Sequence, residues 1–99
     1  MIDSKSLKKF DDGKVMLDLI EPDFVIGIGE VLTVGAQKYG IDNWKRLQKD
    51  DIRRYKAAML RHIYSYLNGE KNDSETCISH LLHAATNIMF LHHFEKEMK

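Results

Sequence analysis

The hydrophobic and polar positions along the chain repeat with the period of α-helices. In the first such stretch, apolar and small residues recur every three or four positions, at Val25, Ile28, Leu32, Gly35, Ala36 and Tyr39. Pro22 suits a first helical turn, where its missing N–H is not needed, and Gly40 suits the residue after a last turn. We therefore predict a first helix over Pro22–Tyr39.

Two later stretches show the same periodicity. A second helix is predicted over 52–67, because Asp50 or Asp51 can cap it and Asn68-Gly69 can end it. A third helix is predicted over 73–95, because Asn72 and Glu75 have the spacing of a capping box. The apolar stripes are Ile52, Tyr55, Met59, His62, Ile63 and Tyr66 in the second helix, and Ile78, Leu81, Leu82, Ala85, Ile88, Met89 and His92 in the third.

The fold class follows from these helices. With 99 residues the chain has the length of one domain. Residues 1–13 are polar and end in the turn signal Asp11-Asp12-Gly13, so they are predicted to form a tail. Residues 14–99 are predicted to form a single all-α domain of three main helices preceded by an N-terminal arm.

The third helix lacks charges where a solvated helix carries them. No Asp, Glu, Lys or Arg lies between Glu75 and Glu95, and the face opposite the apolar stripe holds Thr76, His80, His83, Asn87, Leu91 and Phe94. A helix packed on one side only carries charged residues on its outer face. We therefore expect this helix to be buried on both faces by a partner subunit. That predicts a helical bundle built as a homodimer or higher homo-oligomer.

Overall composition narrows the classes of partner. The formal net charge is zero, whereas proteins that bind nucleic acids or membrane surfaces usually carry a basic excess. The single cysteine cannot form an internal disulfide, and no signal peptide or apolar run of about 20 residues is evident. We expect neither a nucleic-acid nor a membrane partner, and a cytoplasmic location.

Polar residues within the apolar helices are the candidates for chemistry. Glu30 is the sole charged residue between Phe24 and Gln37, and an isolated carboxylate there needs a cation, a metal ion or hydrogen-bond donors unless it faces solvent. His80, His83 and Asn87 share one helical face at i, i+3 and i+7. They can bind a metal ion or a polar ligand, or they can form hydrogen bonds that fix the register between subunits.

Other polar residues have two interpretations each. His62 lies within the apolar stripe of the second helix, and we interpret it as a core histidine. Arg61 lies on the opposite side of that helix and can bind phosphate or form part of a solvated basic face. Glu70, Asp73 and Glu75 cluster between two predicted helices and can bind Mg²⁺ if they point inward. Otherwise Asp73 and Glu75 complement a helix dipole.

Several strings of residues together resemble a known family. They are Gly13-Lys14, Leu17-Asp18-Leu19-Ile20, Glu30-Val31-Leu32-Thr33, Gly35-Ala36-x-Lys38-Tyr39-Gly40-x-x-Asn43-Trp44, Arg61-His62, Gly69-Glu70, Asp73, Glu75, His80, His83 and Asn87. This pattern covers about residues 9–94 and resembles a phage and prophage family named for the N-terminal domain of dATP/dGTP diphosphohydrolases. That family more distantly resembles the all-α, MazG-like nucleotide pyrophosphohydrolases.

The resemblance implies an activity and a metal. The MazG-like enzymes are helical oligomers that hold Mg²⁺ with acidic pairs and cleave nucleoside triphosphates between the α- and β-phosphates. This chain departs from their pattern, since Thr33 follows Glu30 where a second acid is expected and His80-x-x-His83 replaces the later acidic pair. The implied function is a metal-dependent (deoxy)nucleoside triphosphate diphosphohydrolase. The alternative is a non-catalytic module for oligomerisation or for metal or nucleotide binding.

The resemblance also implies roles for individual residues. Glu30, His80 and His83 are the expected catalytic residues, and Glu30, Asp73, His80 and His83 are the expected ligands of Mg²⁺ or Mn²⁺. The expected contacts to substrate are Lys14, Lys38, Tyr39, Asn43, Trp44, Arg61 and Asn87. The cations would hold phosphates, and Trp44 or Tyr39 could stack on the base. Alternatively, Trp44 closes its loop onto the core, and Lys38 complements the negative C-terminal end of its helix dipole.

Overall fold

The computed structural model describes residues 13–46 and 49–96. Three α-helices dominate this part of the chain: α1 over Pro22–Tyr39, α2 over Lys49–Leu67 and α3 over His80–Glu95. Short 3₁₀ turns lie at Leu17–Leu19 and Asn43–Arg46. The described residues contain no strand, so the predicted all-α class is confirmed. Of the predicted polar tail, 1–13, all but Gly13 lies outside these residues.

The predicted bounds of α1 are confirmed. Pro22 occupies the first turn, and Gly40 follows the last turn with a φ of 97°. The amide of Gly40 donates to the carbonyl of Ala36 at 2.8 Å. This positive φ is a conformation that glycine adopts without the steric cost a Cβ brings. Gly40 thereby turns the chain toward the Asn43–Arg46 segment.

The end of α2 is also confirmed, but its start lies earlier than predicted. Asn68 donates to the carbonyl of Tyr64 at 2.9 Å, and Gly69 has a φ of 96°. Asp50 and Asp51 lie inside the first turn rather than at its cap. There the carboxylates complement the positive end of the helix dipole.

The predicted start of the third helix at Asp73 is wrong. The carboxylate of Asp73 accepts hydrogen bonds from the amides of Glu75 and Thr76 at 3.1 and 2.9 Å, which closes a tight turn. Cys77 then has a φ of 62°, a value that an α-helix does not allow. α3 begins only at His80, where Ser79 caps it by accepting from the amide of Leu81 at 3.1 Å.

The residues 73–79 form a closed loop that is joined at its base. Asn72 and Ser79 form an isolated antiparallel bridge. The amide of Asp73 donates to the carbonyl of Ile78 at 2.9 Å, and the amide of His80 donates to Lys71 at 3.0 Å. These bonds hold Asp73 beside the first turn of α3.

The polar face of α3, which was expected to be buried by a partner subunit, is buried within the chain. α3 packs mainly against α2 and secondarily against α1. Its buried residues are His80, His83, Ala84, Thr86, Asn87 and Phe94. The predicted burial of this polar face is therefore confirmed, but α2 of the same chain covers it where a partner subunit was expected. Burial of these polar groups is tolerated because other groups of the chain hydrogen-bond them.

The apolar stripe of α3 lies partly at the surface as a result. Leu81 and Ile88 are 45% and 50% exposed, and Val25 and Ile26 of α1 are exposed as well. Among the described residues, the only buried hydrophobic side chains are those of Ala84 and Phe94. The described chain therefore leaves an apolar surface uncovered. No described helix has the length and apolarity needed to cross a lipid bilayer.

The contact between α1 and α3 yields a stability prediction at Gly27. Gly27 is buried, and a Cβ at this position would overlap the side chain of Leu82, whereas a Cβ at Gly29 would meet open space. Gly29→Ala should raise the free energy of unfolding by about 1 kcal/mol through helix propensity. Gly27→Ala should be less stable than Gly29→Ala by about 1–3 kcal/mol because of overpacking. Denaturant unfolding checks this, and equal gains for the two variants would contradict the packing.

Candidate active site

A cavity of about 740 Å³ opens between the end of α1, the loop that follows it, α2 and α3. This volume lies in the range of pockets that bind small molecules and cofactors. The cavity brings together five of the seven residues that were expected to contact substrate. These are Tyr39, Asn43, Trp44, Arg61 and Asn87.

One end of the cavity is aromatic. The Trp44 ring stacks on Phe90 with 4.5 Å between centroids, and the Tyr55 hydroxyl donates to the Trp44 carbonyl at 3.4 Å. Trp44 also meets His93 edge-on at 5.0 Å. Trp44 therefore fixes the loop onto α3, which is the structural role considered as the alternative to stacking on a base. Tyr39, which is 70% exposed, keeps an open ring at the cavity wall.

Two arginines of α2 line the same cavity. Arg54 pairs with Asp51 at 3.3 Å, which occupies part of its guanidinium group. Arg61 is exposed, and within the described residues it has no ion pair. A guanidinium group in this position can bind an anionic ligand through two parallel hydrogen bonds.

A cluster of histidines lies next to the cavity, where α2 meets the start of α3. The Nδ1 atoms of His62 and His80 are 2.8 Å apart. The rings of His62 and His83 stack with 4.5 Å between centroids and 9° between planes. His62 directly follows the cavity residue Arg61, and His83 lies one turn before the cavity residue Asn87. The cluster and the cavity therefore share the same two helices.

Hydrogen bonds assign the protons of His80 and His62. Nε2 of His80 lies 2.7 Å from Oε1 of Glu70, and a carboxylate can only accept, so Nε2–H of His80 is the donor. In neutral His80, Nδ1 then carries a lone pair that faces His62. Nδ1–H of His62 donates to that lone pair when no ion is bound.

The closed loop supplies the other side of the cluster. Oγ1 of Thr76 donates to Oδ2 of Asp73 at 3.2 Å and lies 2.7 Å from Nε2 of His83. Since the hydroxyl has one proton, Nε2–H of His83 donates to Thr76. The carboxylate of Asp73 has an oxygen within 4.8 Å of a ring nitrogen of both His62 and His80.

The environment keeps two of these imidazoles neutral and Asp73 ionised. Burial lowers the pKa of His62, and the neighbouring His83 and His80 lower it further. Burial also lowers the pKa of His83. Burial alone would raise the pKa of Asp73, but the hydrogen bonds from Thr76 outweigh it and lower that pKa. Neutral imidazoles and an ionised carboxylate are the protonation states that bind metal ions.

The remaining predicted residues lie apart from the cavity. Glu30 is exposed and lines a shallow depression on α1 with Thr76 and Ile78, so it adjoins the closed loop but does not join the His62, Asp73 and His80 group. Lys38 pairs with Glu75, and this hydrogen bond raises the pKa of Lys38. Lys14 is exposed and does not line the cavity.

Sequence reasoning missed two members of the cluster. His62 was interpreted as a core histidine because it lies in an apolar stripe, and Glu70 was considered only with the acidic residues between the helices. Both residues belong to strings that carry the family resemblance, Arg61-His62 and Gly69-Glu70. Their place in these strings was the signal in the sequence that could have marked both residues as functional. Helical spacing could not show that two elements bring them to the same histidine.

The aromatic end of the cavity yields a prediction about alkaline pH. Burial raises the pKa of Tyr55 to about 12 from an ordinary value of 10. Folding therefore favours the protonated phenol, and the stability that this provides is lost as the pH rises from about 10 to about 12. Wild type should lose about 2 kcal/mol more than Tyr55→Phe over that window, as measured by denaturant unfolding. Parallel losses would contradict burial of the phenol.

Comparison with known proteins places this chain in a family. The family described as "dATP/dGTP diphosphohydrolase, N-terminal" matches residues 4–99. A dATP/dGTP diphosphohydrolase of Salmonella phage PMBT28 is 41% identical over 83 residues, which are 84% of this chain and 28% of that relative. The chain thus spans less than a third of that relative, and no solved structure matches it. The chain belongs to the family of dATP/dGTP diphosphohydrolase N-terminal domains.

Proposed function

We propose that this chain is a metal-dependent diphosphohydrolase that converts deoxynucleoside triphosphates into monophosphates and pyrophosphate. The cavity carries this proposal, because one wall is aromatic, another presents Arg61, and the His62, Asp73 and His80 cluster adjoins it. The name of the phage relative supports dATP and dGTP as the first substrates to test.

The lining of the cavity offers groups for both the base and the phosphates of a nucleotide. A base can pack against the exposed ring of Tyr39 in the cavity wall, since stacking on an aromatic ring accepts any base. Arg61 can hold the phosphates, and the buried amide of Asn87 borders the same space. The phosphates would then lie toward the histidine cluster.

The proposed reaction needs few protein groups. A water oxygen bonds to the α-phosphorus, the bond from that phosphorus to the bridging oxygen breaks, and pyrophosphate leaves with the electron pair. Arg61 balances the charge that develops on the phosphates. Glu30 is proposed to accept the water proton or to bind the ion, since it adjoins the loop that carries Asp73.

The donor set suits a divalent ion. Asp73 offers a carboxylate oxygen and His80 a ring nitrogen, and His83 and Glu30 lie on elements that border the closed loop. Mn²⁺ accepts both carboxylate oxygen and imidazole nitrogen, so we propose Mn²⁺ as the ion, with Mg²⁺, which prefers oxygen ligands, as the alternative. When bound, such an ion neutralises phosphate charge and lowers the pKa of its water.

Pyrophosphate release from the eight common NTPs and dNTPs, with Mg²⁺ or Mn²⁺, tests the activity. Wild type should release pyrophosphate from dATP or dGTP. Arg61→Gln should raise KM by about 10- to 100-fold, since a charge-assisted hydrogen bond contributes about 1.5–3 kcal/mol. Glu30→Gln should abolish release and keep the helical circular dichroism. Arg53→Gln is the control, because Arg53 is exposed on the same helix outside the cavity.

Three outcomes would contradict this function. Release of inorganic phosphate instead of pyrophosphate would exclude cleavage between the α- and β-phosphates. Full activity of Glu30→Gln would remove Glu30 from the reaction. Absence of turnover would favour the non-catalytic module. Stabilisation by dGTP would then indicate nucleotide binding, and absence of stabilisation would indicate an oligomerisation or metal-binding role.

We further propose that the functional form is a homo-oligomer, at least a dimer. The uncovered apolar surface includes Leu81 and Ile88 on α3 and Val25 and Ile26 on α1. Removing such surface from water contributes about 25 cal/mol per Å². A second copy of the chain offers the same surface, which a two-fold axis can pair with itself.

Sedimentation equilibrium at micromolar concentration tests the oligomer. Wild type should show no stable monomer, because a monomer would leave this apolar surface in water. Ile88→Glu should shift the distribution toward the 11.5 kDa monomer. Lys56→Glu, at an exposed polar position of α2, should leave the distribution unchanged. A wild-type protein that sediments as a monomer would contradict the proposal.

A further inference from the structure

We propose that His62, Asp73 and His80 bind a divalent first-row transition-metal ion, with Glu70 as the residue that orients His80. The ligand atoms of the three residues lie within 4.8 Å of one another. His62 comes from α2, His80 from α3 and Asp73 from the closed loop between these helices. The proposal that these residues bind an ion does not depend on the proposed hydrolysis. Only the use of that ion in the reaction rests on the proposed function.

The distance between the two imidazoles agrees with a shared ion. Their Nδ1 atoms are 2.8 Å apart. Two nitrogens that bind one ion at about 2.1 Å, at right angles to each other, lie about 3.0 Å apart. On ion binding, the single ring proton of neutral His62 would move from Nδ1 to Nε2, so that the Nδ1 lone pairs of both histidines face the ion. Asp73 then has to approach by a small rotation that moves Oδ1 toward the ion while Oδ2 keeps its hydrogen bonds to the loop.

The surroundings of the cluster match those of metal-binding histidines. Such a histidine usually donates its other ring N–H to a carboxylate, which fixes the tautomer and the ring orientation. Glu70 accepts this bond from His80, a residue that is only 3% exposed. The stacked ring of His83, which is itself held by Thr76, limits rotation of His62.

Within the described residues, hydrogen bonds reach only one of the two carboxylate oxygens of Asp73. The hydrogen bonds from Glu75 and Thr76 all go to Oδ2. Within the described residues, no hydrogen bond occupies Oδ1. The loop therefore fixes the carboxylate through one oxygen and leaves the other for an ion.

The donor atoms select the class of ion. Two imidazole nitrogens and one carboxylate oxygen suit Mn²⁺, Fe²⁺, Co²⁺ or Zn²⁺, and three protein ligands leave further positions open for water or a phosphate oxygen. Mg²⁺ prefers a shell of oxygens and retains its waters. The site should therefore bind Co²⁺ and Zn²⁺ in the presence of millimolar Mg²⁺.

Titration of the metal-free chain with Co²⁺ tests this site, because cobalt absorption reports its ligands directly. Wild type should bind one equivalent, which Zn²⁺ displaces and millimolar Mg²⁺ does not. His62→Gln and Asp73→Asn should each weaken binding at least 100-fold, and Glu70→Gln about 10- to 100-fold. His92→Gln is the matched control, since His92 is exposed on α3 outside the cluster, and it should bind as wild type does.

The outcomes separate this site from the proposed reaction. Cobalt binding that survives His62→Gln, or that Mg²⁺ abolishes, would overturn the site. Circular dichroism of each metal-free variant shows whether it folds, and Asp73→Asn provides a second test if His62→Gln does not. Normal cobalt binding without pyrophosphate release would contradict only the proposed function. Pyrophosphate release without cobalt binding would contradict only this site.

Discussion

The structure depends on the burial of a polar helix face. His80, His83 and Asn87 of α3 lie against α2 and are all buried. Each buried polar group costs free energy unless it finds a partner. Glu70 and His62 satisfy His80, Thr76 satisfies His83, and the Asn87 amide donates to the backbone of its own helix at 2.9 Å. Loss of any of these partners would leave an unpaired polar group in the interior.

This requirement explains the closed loop between α2 and α3. A helix that began at Asp73, as the spacing suggested, would carry Thr76 along its own axis. The loop instead places Thr76 where its hydroxyl meets both Asp73 and His83. The positive φ of Cys77 is the conformational cost of that arrangement. At this loop, the hydrogen bonds of the tertiary structure outweigh the local preference for a helix.

The same packing links the cavity to the histidine cluster. Arg61 and His62 are neighbours on α2, and His83 and Asn87 are one turn apart on α3. One residue of each pair lines the cavity and the other belongs to the cluster. A ligand in the cavity and an ion at the cluster would therefore lie on the same two rigid elements. Rigid elements hold such groups more accurately than loops do.

The sequence by itself determined the helical class, the bounds of α1 and the end of α2, because periodicity, proline and glycine act through local geometry. It also marked His80 and His83 as the polar face of α3. It predicted burial of this face from the missing charges, but it could not decide that α2 covers the face instead of a partner subunit, because the period is the same whatever packs against it. Only the tertiary structure joined His62 and Glu70 to His80, since a cluster drawn from separate elements depends on how they pack.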